Sequence, residues 1–321
     1  MTSDRDNTWQ SKSPIDGKVV FITGCGSFAI AFANHICTTY KPKKVVFLSR
    51  NESKQEEARQ KVVRPGSCRW ILGDIRDSRF KHHISQAQIL IHTASLKRVP
   101  DIEYNTLEAA SNIVEGTANV ASACVDTGIE KAVFLSTDKA VFPVNHYGVC
   151  KGAAERLWLG ANFEKQIFSA TRYGNVMGSS DSVLPIYQAV PRGKPFPITD
   201  KRMTRFWVTM DEAVGLVLQA VKSQFGSIIL SKTKGFKVTD LARAIRTTAQ
   251  FNVKGIRPGE KIHELLVSEH EAHRTIDCTD FYWMAPEIKY AENQHWPTGD
   301  VKGPVQSDDS LMSVEEIKEK L

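Results

Sequence analysis

The stretch KVVFITGCGSFA, residues 18–29, decides the fold class. Its first half, KVVFIT (Lys18–Thr23), is a short apolar run, which is typical of a parallel strand that is covered on both faces. Its second half, GCGSFA (Gly24–Ala29), has the spacing GxGxxA. The two glycines permit a tight turn, and the small last residue lets the following helix pack closely on the strand. The stretch therefore predicts the first strand, turn and helix of a dinucleotide-binding domain.

Further short apolar runs alternate with helix-like segments along the first half of the chain. The runs are KVVFLS (Lys44–Ser49), WILG (Trp70–Gly73), ILIH (Ile89–His92), AVFLS (Ala132–Ser136) and IFSAT (Ile167–Thr171), and the helix candidates are Phe28–Tyr40, Ser53–Val62, Asn105–Thr127 and His146–Phe163. This alternation predicts the α/β class, with a Rossmann-like doubly wound parallel sheet and helices on both of its faces.

The pattern changes near Gly178, where prolines interrupt shorter elements, followed by helix-like segments at Asp211–Ser223 and Val238–Thr248. We expect a polar leader over 1–17 and a Rossmann domain over 18–177, to which later segments return. Residues 178–321 are expected to form mainly a smaller, substrate-binding C-terminal lobe. Ligands of such folds bind in the crevice beyond the ends of the strands.

The composition excludes several classes of protein. The 321 residues carry a net charge of +6, from 42 basic and 36 acidic side chains without a run of like charge, which argues against a nucleic-acid arm or a polybasic membrane patch. The six cysteines form no CxxC pair, so we expect reduced thiols and no metal site. The polar start MTSDRDNTWQ and the absence of a long apolar segment predict a cytoplasmic protein that does not bind membranes.

The ends of the second and third strands carry the groups that would select the cofactor. Ser49, Arg50 and Asn51 end the second strand, and Lys54 follows one turn later. An acidic residue usually binds the ribose of NAD at this place, so the two basic side chains favour the additional phosphate of NADP. A solvated, basic helix start is the alternative. Asp74 ends the third strand, where its carboxylate would accept from the adenine amino group or cap the next turn.

Two segments near the end of the fifth strand predict catalysis. Thr137-Asp138-Lys139 follows that strand, and Tyr147 and Lys151 begin the next helix four residues apart, on one face. We expect the ammonium to lower the pKa of the phenol from about 10 toward neutrality, which makes it a general base. In a closed cleft, burial would raise the pKa of Asp138 and lower that of Lys139, which gives an acid and a base. A surface ion pair is the alternative.

Eight segments, in order along nearly the whole chain, carry a family resemblance. They are SRNESKQ (Ser49–Gln55), GDIRD (Gly73–Asp77), HTASLKRVPDIEYN (His92–Asn105), STDKA (Ser136–Ala140), NHYGVCK (Asn145–Lys151), RYGNVMGS (Arg172–Ser179), PITDKRMTRFWVT (Pro197–Thr209) and IRPGEKIHE (Ile256–Glu264). The chain thereby resembles the inverting UDP-N-acetylglucosamine 4,6-dehydratases, which are extended short-chain dehydrogenase/reductases.

The resemblance implies a reaction on UDP-N-acetylglucosamine with a tightly bound NADP that is recycled within each turnover. Tyr147, helped by Thr137 and Lys151, would remove the proton of the C4 hydroxyl. Lys139 would take the C5 proton, and Asp138 would protonate the departing C6 hydroxyl. Return of hydride to C6 and of a proton to the opposite face of C5 would give a UDP-2-acetamido-2,6-dideoxy-L-hexos-4-ulose.

The motifs and the resemblance together predict the binding residues and a homo-oligomer, either a dimer or a hexamer. Arg205 and Arg257 are expected on the pyrophosphate, Glu260 on the uridine ribose, Asn175 on the substrate phosphate and Lys97 near both ligands. The predicted cofactor-binding residues are Gly24, Gly26, Ser27, Phe28, Ala29, Ser49, Arg50, Asn51, Lys54, Asp74, Ile75, Thr93, Ala94, Ser95, Lys97, Tyr147, Lys151 and Tyr173.

The chain departs from the family pattern at the glycine turn. The family usually has TGGTGSFG, whereas this chain has TGCGSFA, which is one residue shorter. Two alternatives stay open from the sequence. Another epimerase or dehydratase of nucleotide sugars would use the same scaffold, although an epimerase has no need of the Asp138-Lys139 pair. A non-catalytic NADP-binding sensor is the other, and Tyr147 and Lys151 argue against it.

Overall fold

The computed structural model describes residues 13–162, 166–179, 182–288 and 298–321. The first twelve residues of the expected leader and Phe163, the end of a predicted helix, lie outside this part. The helices are α1 (Ser27–Thr39), α2 (Glu52–Arg59), α3 (Phe80–Ile84), α4 (Val99–Tyr104), α5 (Thr106–Ala110), α6 (Gly116–Thr127), α7 (His146–Gly160), α8 (Val183–Gln188), α9 (Met210–Lys222), α10 (Val238–Ile245), α11 (Glu269–Ala272) and α12 (Val314–Glu319).

The strands are short, as the apolar runs predict. They are β1 (Val19–Thr23), β2 (Lys44–Ser49), β3 (Cys68–Leu72), β4 (Ile89–His92), β5 (Lys131–Leu135), β6 (Ile167–Arg172), β7 (Phe196–Ile198), β8 (Thr204–Phe206), β9 (Ile228–Ser231), β10 (Gly235–Lys237), β11 (Phe251–Val253), β12 (Leu265–Val267), β13 (Thr275–Asp277), β14 (Phe281–Met284) and β15 (Val305–Gln306).

Within the described residues, nine strands form one sheet in the order β13-β14-β9-β6-β5-β4-β1-β2-β3. The strands from β3 to β9 are parallel, and β14 and β13 add an antiparallel edge. The predicted α/β class with a Rossmann-like doubly wound parallel sheet is confirmed. β1 lies between β2 and β4, so the chain order reverses there and opens a crevice at the carboxyl ends of the strands.

Helices cover both faces of this sheet. Phe32 of α1 and Val217 of α9 are fully buried on one face, and Phe80 of α3, Val120 of α6 and Trp158 of α7 are fully buried on the other. Burying one such large apolar side chain contributes about 1.5–3 kcal/mol to folding. The two apolar layers therefore fix the strand ends from which the site is built.

One predicted helix, Asn105–Thr127, differs from the structure. It is interrupted between α5 and α6 by a π-helical turn at Ser111–Glu115. In that turn, the Asn112 side chain accepts a hydrogen bond from the Leu96 backbone N–H at 3.0 Å. A π-turn inserts an additional residue into the helix and commonly lies at functional sites. Apolar spacing does not encode it, because the apolar side chains before and after the turn still face the sheet.

The chain after residue 178 contributes both to the sheet and to a separate apolar cluster. β9, β13 and β14 join the sheet, whereas Trp207, Phe236, Leu241 and Ile317 belong to a third buried cluster. Ser313 caps α12 with a capping box, in which its side chain accepts from the Glu316 N–H at 3.1 Å. The boundary at residue 178 stays a prediction.

The described end of the expected leader packs on the first domain. Ile15 is fully buried, and the Gly17 N–H donates to the Lys41 carbonyl at 2.9 Å. The Asp16 carboxylate accepts from the Lys41 N–H at 2.7 Å. These contacts hold residues 15–17 beside the start of β1.

Candidate active site

The glycine turn between β1 and α1 has the geometry of a phosphate-binding turn. Gly24 has a φ of +90°, and a Cβ there would lie 2.7 Å from Thr93 Oγ1, so only glycine fits. At Gly26, the N-cap of α1, no described heavy atom lies within 4 Å of the place of a Cβ. Ser27 and Ala29 follow in the first turn of α1, whose backbone N–H groups face this open space. The residues of the turn therefore fit a dinucleotide pyrophosphate.

A buried histidine joins the glycine strand to the loop after β4. His92 Nδ1 lies 2.7 Å from Thr23 Oγ1, and its Nε2 lies 3.1 Å from Thr117 Oγ1. Thr23 Oγ1 accepts from the backbone N–H groups of Thr93 and Ala94 at 3.1 and 3.2 Å, so its hydroxyl donates to the imidazole. Burial lowers the pKa of His92 to about 3. The neutral ring thereby sets the position of the loop that carries these predicted cofactor residues.

The residues that are predicted to select the cofactor come together at the ends of β2 and β3. Arg50 Nη1 lies 3.5 Å from Asp74 Oδ2, and its side chain is half exposed. Asn51 caps α2 by accepting from the Lys54 N–H at 2.9 Å. Asp74 accepts from the Arg76 N–H at 2.9 Å, so the structure shows its capping use. The contacts with NADP and adenine stay predictions.

Other predicted cofactor residues stand in the glycine turn, in α1 or at and after the strand ends. Ser49 Oγ accepts from Cys25 Sγ at 3.2 Å across the glycine turn. Phe28 stacks on Tyr173, with ring centroids 6.5 Å apart, and Tyr173 is buried. Ile75 is buried after β3, Ser95 Oγ donates to the next carbonyl at 2.9 Å, and Lys97 is exposed in the loop after β4.

A short 3-10 turn after β5 holds the central acid and base. Thr137 Oγ1 donates to Asp138 Oδ1 at 2.9 Å and accepts from the Lys139 N–H at 3.3 Å. Lys139 Nζ donates to the same Asp138 oxygen at 3.0 Å. Asp138 is 1% exposed, and no described group donates a hydrogen bond to its Oδ2. The pair therefore lies in the interior of the cleft, which excludes the surface ion pair that the sequence left open.

The start of α7 brings Tyr147 against this turn. Asn145 caps the helix by accepting from the Gly148 N–H at 2.7 Å. A Cβ on Gly148 would collide with the Lys139 carbonyl oxygen, so glycine permits the close approach. The Thr137 side chain and Lys139 lower the pKa of the Tyr147 phenol, so both lie close to it. Thr137, Asp138, Lys139 and Tyr147 are thus brought together, and Lys151 follows one turn later in α7.

The expected lowering of the pKa of Tyr147 is wrong for this structure. Burial, the largest effect, raises its pKa to about 12, against a smaller lowering by Lys139. Burial also lowers the pKa of Lys151 to about 7, and its ammonium donates to the Leu135 carbonyl and lies 3.9 Å from the centroid of the Phe134 ring. Desolvation disfavours both charged forms, and it outweighs an attraction that spacing alone suggested.

The expected direction of the pKa shift is right for Asp138 and wrong for Lys139. Burial is the main cause that raises the pKa of Asp138 above its ordinary value, as expected. Burial alone would lower the pKa of Lys139, but the neighbouring Asp138 and Glu264 outweigh it, so the pKa is raised instead of lowered. The expected lowering is wrong because a second carboxylate, distant in the sequence, faces the same ammonium.

Glu264 is the residue that the sequence analysis missed. It is 2% exposed, and its Oε1 lies 3.4 Å from Lys139 Nζ and 3.7 Å from Arg205 Nε. Lys261 Nζ lies 3.9 Å from Glu264 Oε2 and donates to the Val141 carbonyl. Both residues stand in the quoted segment IRPGEKIHE, where the i, i+3 spacing of Lys261 and Glu264 was the available signal.

The structure places the predicted substrate residues in two groups. Asn175 Oδ1 accepts from Lys139 Nζ at 3.1 Å, so it belongs to the central cluster. Arg205 donates to the carbonyls of Thr204 and Ile262 at 2.7 and 3.2 Å, beside that cluster. Arg257 and Glu260 form an ion pair with each other at the exposed side of the loop. Their contacts with a nucleotide stay predictions.

Comparisons with known proteins agree with this geometry. Residues 20–286 match the profile of the family described as polysaccharide biosynthesis protein. The chain is also 38% identical over 288 residues to an inverting UDP-N-acetylglucosamine 4,6-dehydratase of Campylobacter jejuni, covering 87% of this chain and 86% of that protein. The chain belongs to this polysaccharide biosynthesis protein family. The resemblance that its motifs carry is thereby confirmed.

Two further comparisons place this member within the extended short-chain dehydrogenase/reductases. A UDP-glucose 4-epimerase of Rickettsia rickettsii is 31% identical over 331 residues, covering 96% of each chain. The crystal structure of Pen from Bacillus thuringiensis superposes with a TM-score of 0.84 at 28% identity, covering 95% of this chain and 98% of that one. The named dehydratase relatives are hydro-lyases, so the prediction of a lyase is confirmed at the level of the family.

Three other structures of this fold, at 17–20% identity, contain NAD. In the described ranges, no helix is long and apolar enough to cross a membrane. The same part of the chain holds no group of three or more His, Cys, Asp or Glu side chains arranged for a metal ion.

Proposed function

We propose that this family member is a UDP-N-acetylglucosamine 4,6-dehydratase that inverts C5. The observation that carries the proposal is the buried cluster in which Thr137, Asp138, Lys139 and Tyr147 meet. Oxidation of an alcohol alone needs one base, whereas loss of water from the C5–C6 bond needs a further base and an acid. The cluster contains these two additional groups side by side, with Asp138 almost fully buried and Lys139 partly buried.

The side chains divide the proton transfers among them. Tyr147 takes the proton of the C4 hydroxyl, with Thr137 close to its hydroxyl and Lys151 one turn later on the same helix. Lys139 takes the proton from C5, which the C4 ketone makes acidic. Asp138 gives a proton to the C6 hydroxyl, which leaves as water. A proton then returns to the opposite face of C5, and the sugar has lost one water in total.

The protonation states of Tyr147, Asp138 and Lys139 before substrate binds determine which of these groups are ready to react. Tyr147 is held neutral, with its pKa at about 12, and Lys139 is held charged, while burial raises the pKa of Asp138 above its ordinary value. The raised pKa of Asp138 favours the acid form that protonation of a leaving hydroxyl requires. Lys139 must first give up its proton before it accepts the C5 proton, and Tyr147 must likewise lose its phenolic proton before it takes the proton of the C4 hydroxyl.

Bound nicotinamide supplies the acceptor for the C4 hydride and returns that hydride to C6. We propose NADP as the form used, because the basic residues Arg50 and Lys54 follow β2, where an NAD site usually has an acidic residue. Gly24, Gly26 and the N-terminus of α1 would hold the pyrophosphate. Asp74, 3.5 Å from Arg50, opposes part of this charge, so the preference needs measurement. The cytoplasmic location and the homo-oligomeric state also stay predictions.

A C4 epimerase is the second candidate, and the Rickettsia relative named above favours it. Epimerisation requires a base at C4 only, and it leaves the C5 and C6 bonds intact. The buried Asp138–Lys139 pair has no task in that reaction, which favours dehydration. The two reactions differ in whether C5 exchanges its proton with solvent.

The test is NMR of the purified protein with UDP-N-acetylglucosamine in heavy water, first without and then with added NADP+. We expect a C6 methyl signal, deuterium at C5 and coupling constants of an L-sugar. A C4-epimerised sugar that keeps its C5 proton would establish the epimerase instead. Unchanged substrate in the presence of NADP+ would overturn both, and UDP-glucose would then be tried in the same assay.

A further inference from the structure

The backbone of Glu264 is held rigidly at the start of β12. Its N–H donates to Ser307 Oγ at 2.9 Å, and its carbonyl accepts from the Ser307 N–H at 2.9 Å. Ser307 Oγ also lies 2.6 Å from Thr204 Oγ1 of β8. Three separate segments of the chain thus hold the Glu264 backbone in place, and the side chain is almost completely buried.

Three cations surround this carboxylate. Lys139 Nζ lies 3.4 Å and Arg205 Nε 3.7 Å from Oε1, and Lys261 Nζ lies 3.9 Å from Oε2. Burial would raise the pKa of Glu264, but the three cations outweigh it and lower the pKa. Glu264 is therefore held as a carboxylate, although it is buried.

Asp138 and Glu264 contact the same ammonium, that of Lys139, but their pKa values shift in opposite directions. Burial raises the pKa of Asp138; Lys139 lowers it, and the negative charge of Glu264 raises it again. Two carboxyl groups on one ammonium thus have their pKa values pushed apart, which is a sign of divided acid and base roles. The separation depends on the charge of Glu264.

We propose that Glu264 is a positioning residue that serves as the permanent counter-ion of Lys139 and so leaves Asp138 as the carboxyl that carries a proton. This rests on the dehydration proposed above, in which Asp138 protonates the leaving hydroxyl. Without Glu264, the ammonium would be balanced by Asp138 alone. The pKa of Asp138 would then fall, and a smaller fraction of Asp138 would carry the proton that it gives.

Charged and titratable groups from several elements face Asp138 and Lys139, and each contributes to the pKa values of these two residues. Tyr147 comes from α7, Arg205 from β8, and Lys261 and Glu264 from the segment before β12, in addition to Asp138 and Lys139 themselves. Arg205 and Lys261 lie further from the Glu264 carboxylate than Lys139 does, and their positive charges partly cancel its effect on Asp138. The expected effect of Glu264 is therefore a shift in the pKa of Asp138 and not a complete reversal.

The test is the pKa of the Asp138 carboxyl, measured by NMR on protein labelled with ¹³C at the aspartate side-chain carboxyl. The Asp138 signal is assigned by its loss in Asp138→Asn. We expect Glu264→Gln to lower this pKa by about one unit or more, because it removes a close buried charge. Glu269→Gln, the same change at an exposed residue of α11, is the matched control and should leave the value unchanged.

If Glu264→Gln does not fold, Glu264→Asp is measured instead. It keeps the negative charge, but its shorter side chain holds the carboxylate further from Lys139, so a smaller fall in the pKa of Asp138 is expected. An unchanged or raised pKa of Asp138 in a folded Glu264 variant overturns the proposal. This titration needs no substrate, so it decides the role of Glu264 even if the wild-type protein proves not to dehydrate a UDP-sugar. With active protein, the alkaline limb of water loss should move to lower pH in Glu264→Gln, while oxidation at C4 is retained.

Discussion

The carboxylates of Asp138 and Glu264 contact the same ammonium, that of Lys139, although they come from opposite halves of the chain. Asp138 follows β5, and Glu264 precedes β12 in the C-terminal part. The acid and base that the sequence places side by side are thus controlled by a residue that only folding brings near. The predictions below test this cluster and the structure around it.

Lys139→Ala should abolish loss of water while reduction of the nicotinamide on substrate addition persists. Lys139 is the proposed C5 base, and loss of a general base typically costs about 10²–10⁴-fold in rate. Oxidation at C4 depends on Tyr147, which remains. The measurement compares the rate of the C6 methyl signal with the absorbance of the reduced cofactor. Normal formation of the 6-deoxy product by this variant would exclude Lys139 as the base.

Arg50→Ala should weaken the binding of NADP by about tenfold to a hundredfold, as expected for loss of one charge-assisted hydrogen bond, and should affect NAD much less. The half-exposed Arg50 guanidinium is the group nearest the end of β2 that suits a phosphate. Calorimetric titration with both cofactors measures the ratio. Lys61→Ala, at an exposed position beyond α2, is the control. Equal losses for NADP and NAD would mean that Arg50 does not contact the additional phosphate.

The buried His92 should make the protein less stable as the pH falls below about 6.5. The folded state keeps the ring neutral down to a pKa of about 3, whereas the unfolded chain protonates it near 6.5. Between these values the unfolded state binds one more proton, so the free energy of unfolding falls by about 1.4 kcal/mol per pH unit.

Urea unfolding at pH 7 and pH 5 measures this slope. His92→Gln should reduce the slope by about that amount, and His82→Gln, at an exposed position of α3, should not. The same slope in wild type and His92→Gln would show that other groups cause the acid sensitivity.

Glu155→Gln should destabilise the fold by about 3–5 kcal/mol, because it leaves the buried Arg172 partly uncompensated. Glu155 accepts from both Arg172 Nε and Nη2, at 2.9 and 2.5 Å, and both residues are at most 4% exposed. Glu287→Gln breaks an exposed pair with Arg156 and should cost less than about 1 kcal/mol. Chemical unfolding of both variants gives the comparison, and similar losses would contradict the importance of burial.

The apolar runs predicted the central strands closely, since β2 and β4 have the predicted bounds and β1 differs by one residue. Such runs are readable because a parallel strand buried on both faces needs apolar side chains at every position. The antiparallel edge of β13 and β14 was not predicted. The π-turn at Ser111–Glu115 was also missed, because it depends on a side chain that bonds a distant backbone group.

The sequence by itself determined the fold class, the glycine turn, the family and the two segments that carry Thr137, Asp138, Lys139, Tyr147 and Lys151. These features are local, because they depend on spacing within one strand, turn or helix. Only the tertiary structure decided the protonation states at the site. They depend on burial and on charges from neighbouring and distant segments. Burial raises the pKa of Tyr147, and the carboxylates of Asp138 and Glu264 raise that of Lys139, so both shifts run opposite to the expectation from spacing alone.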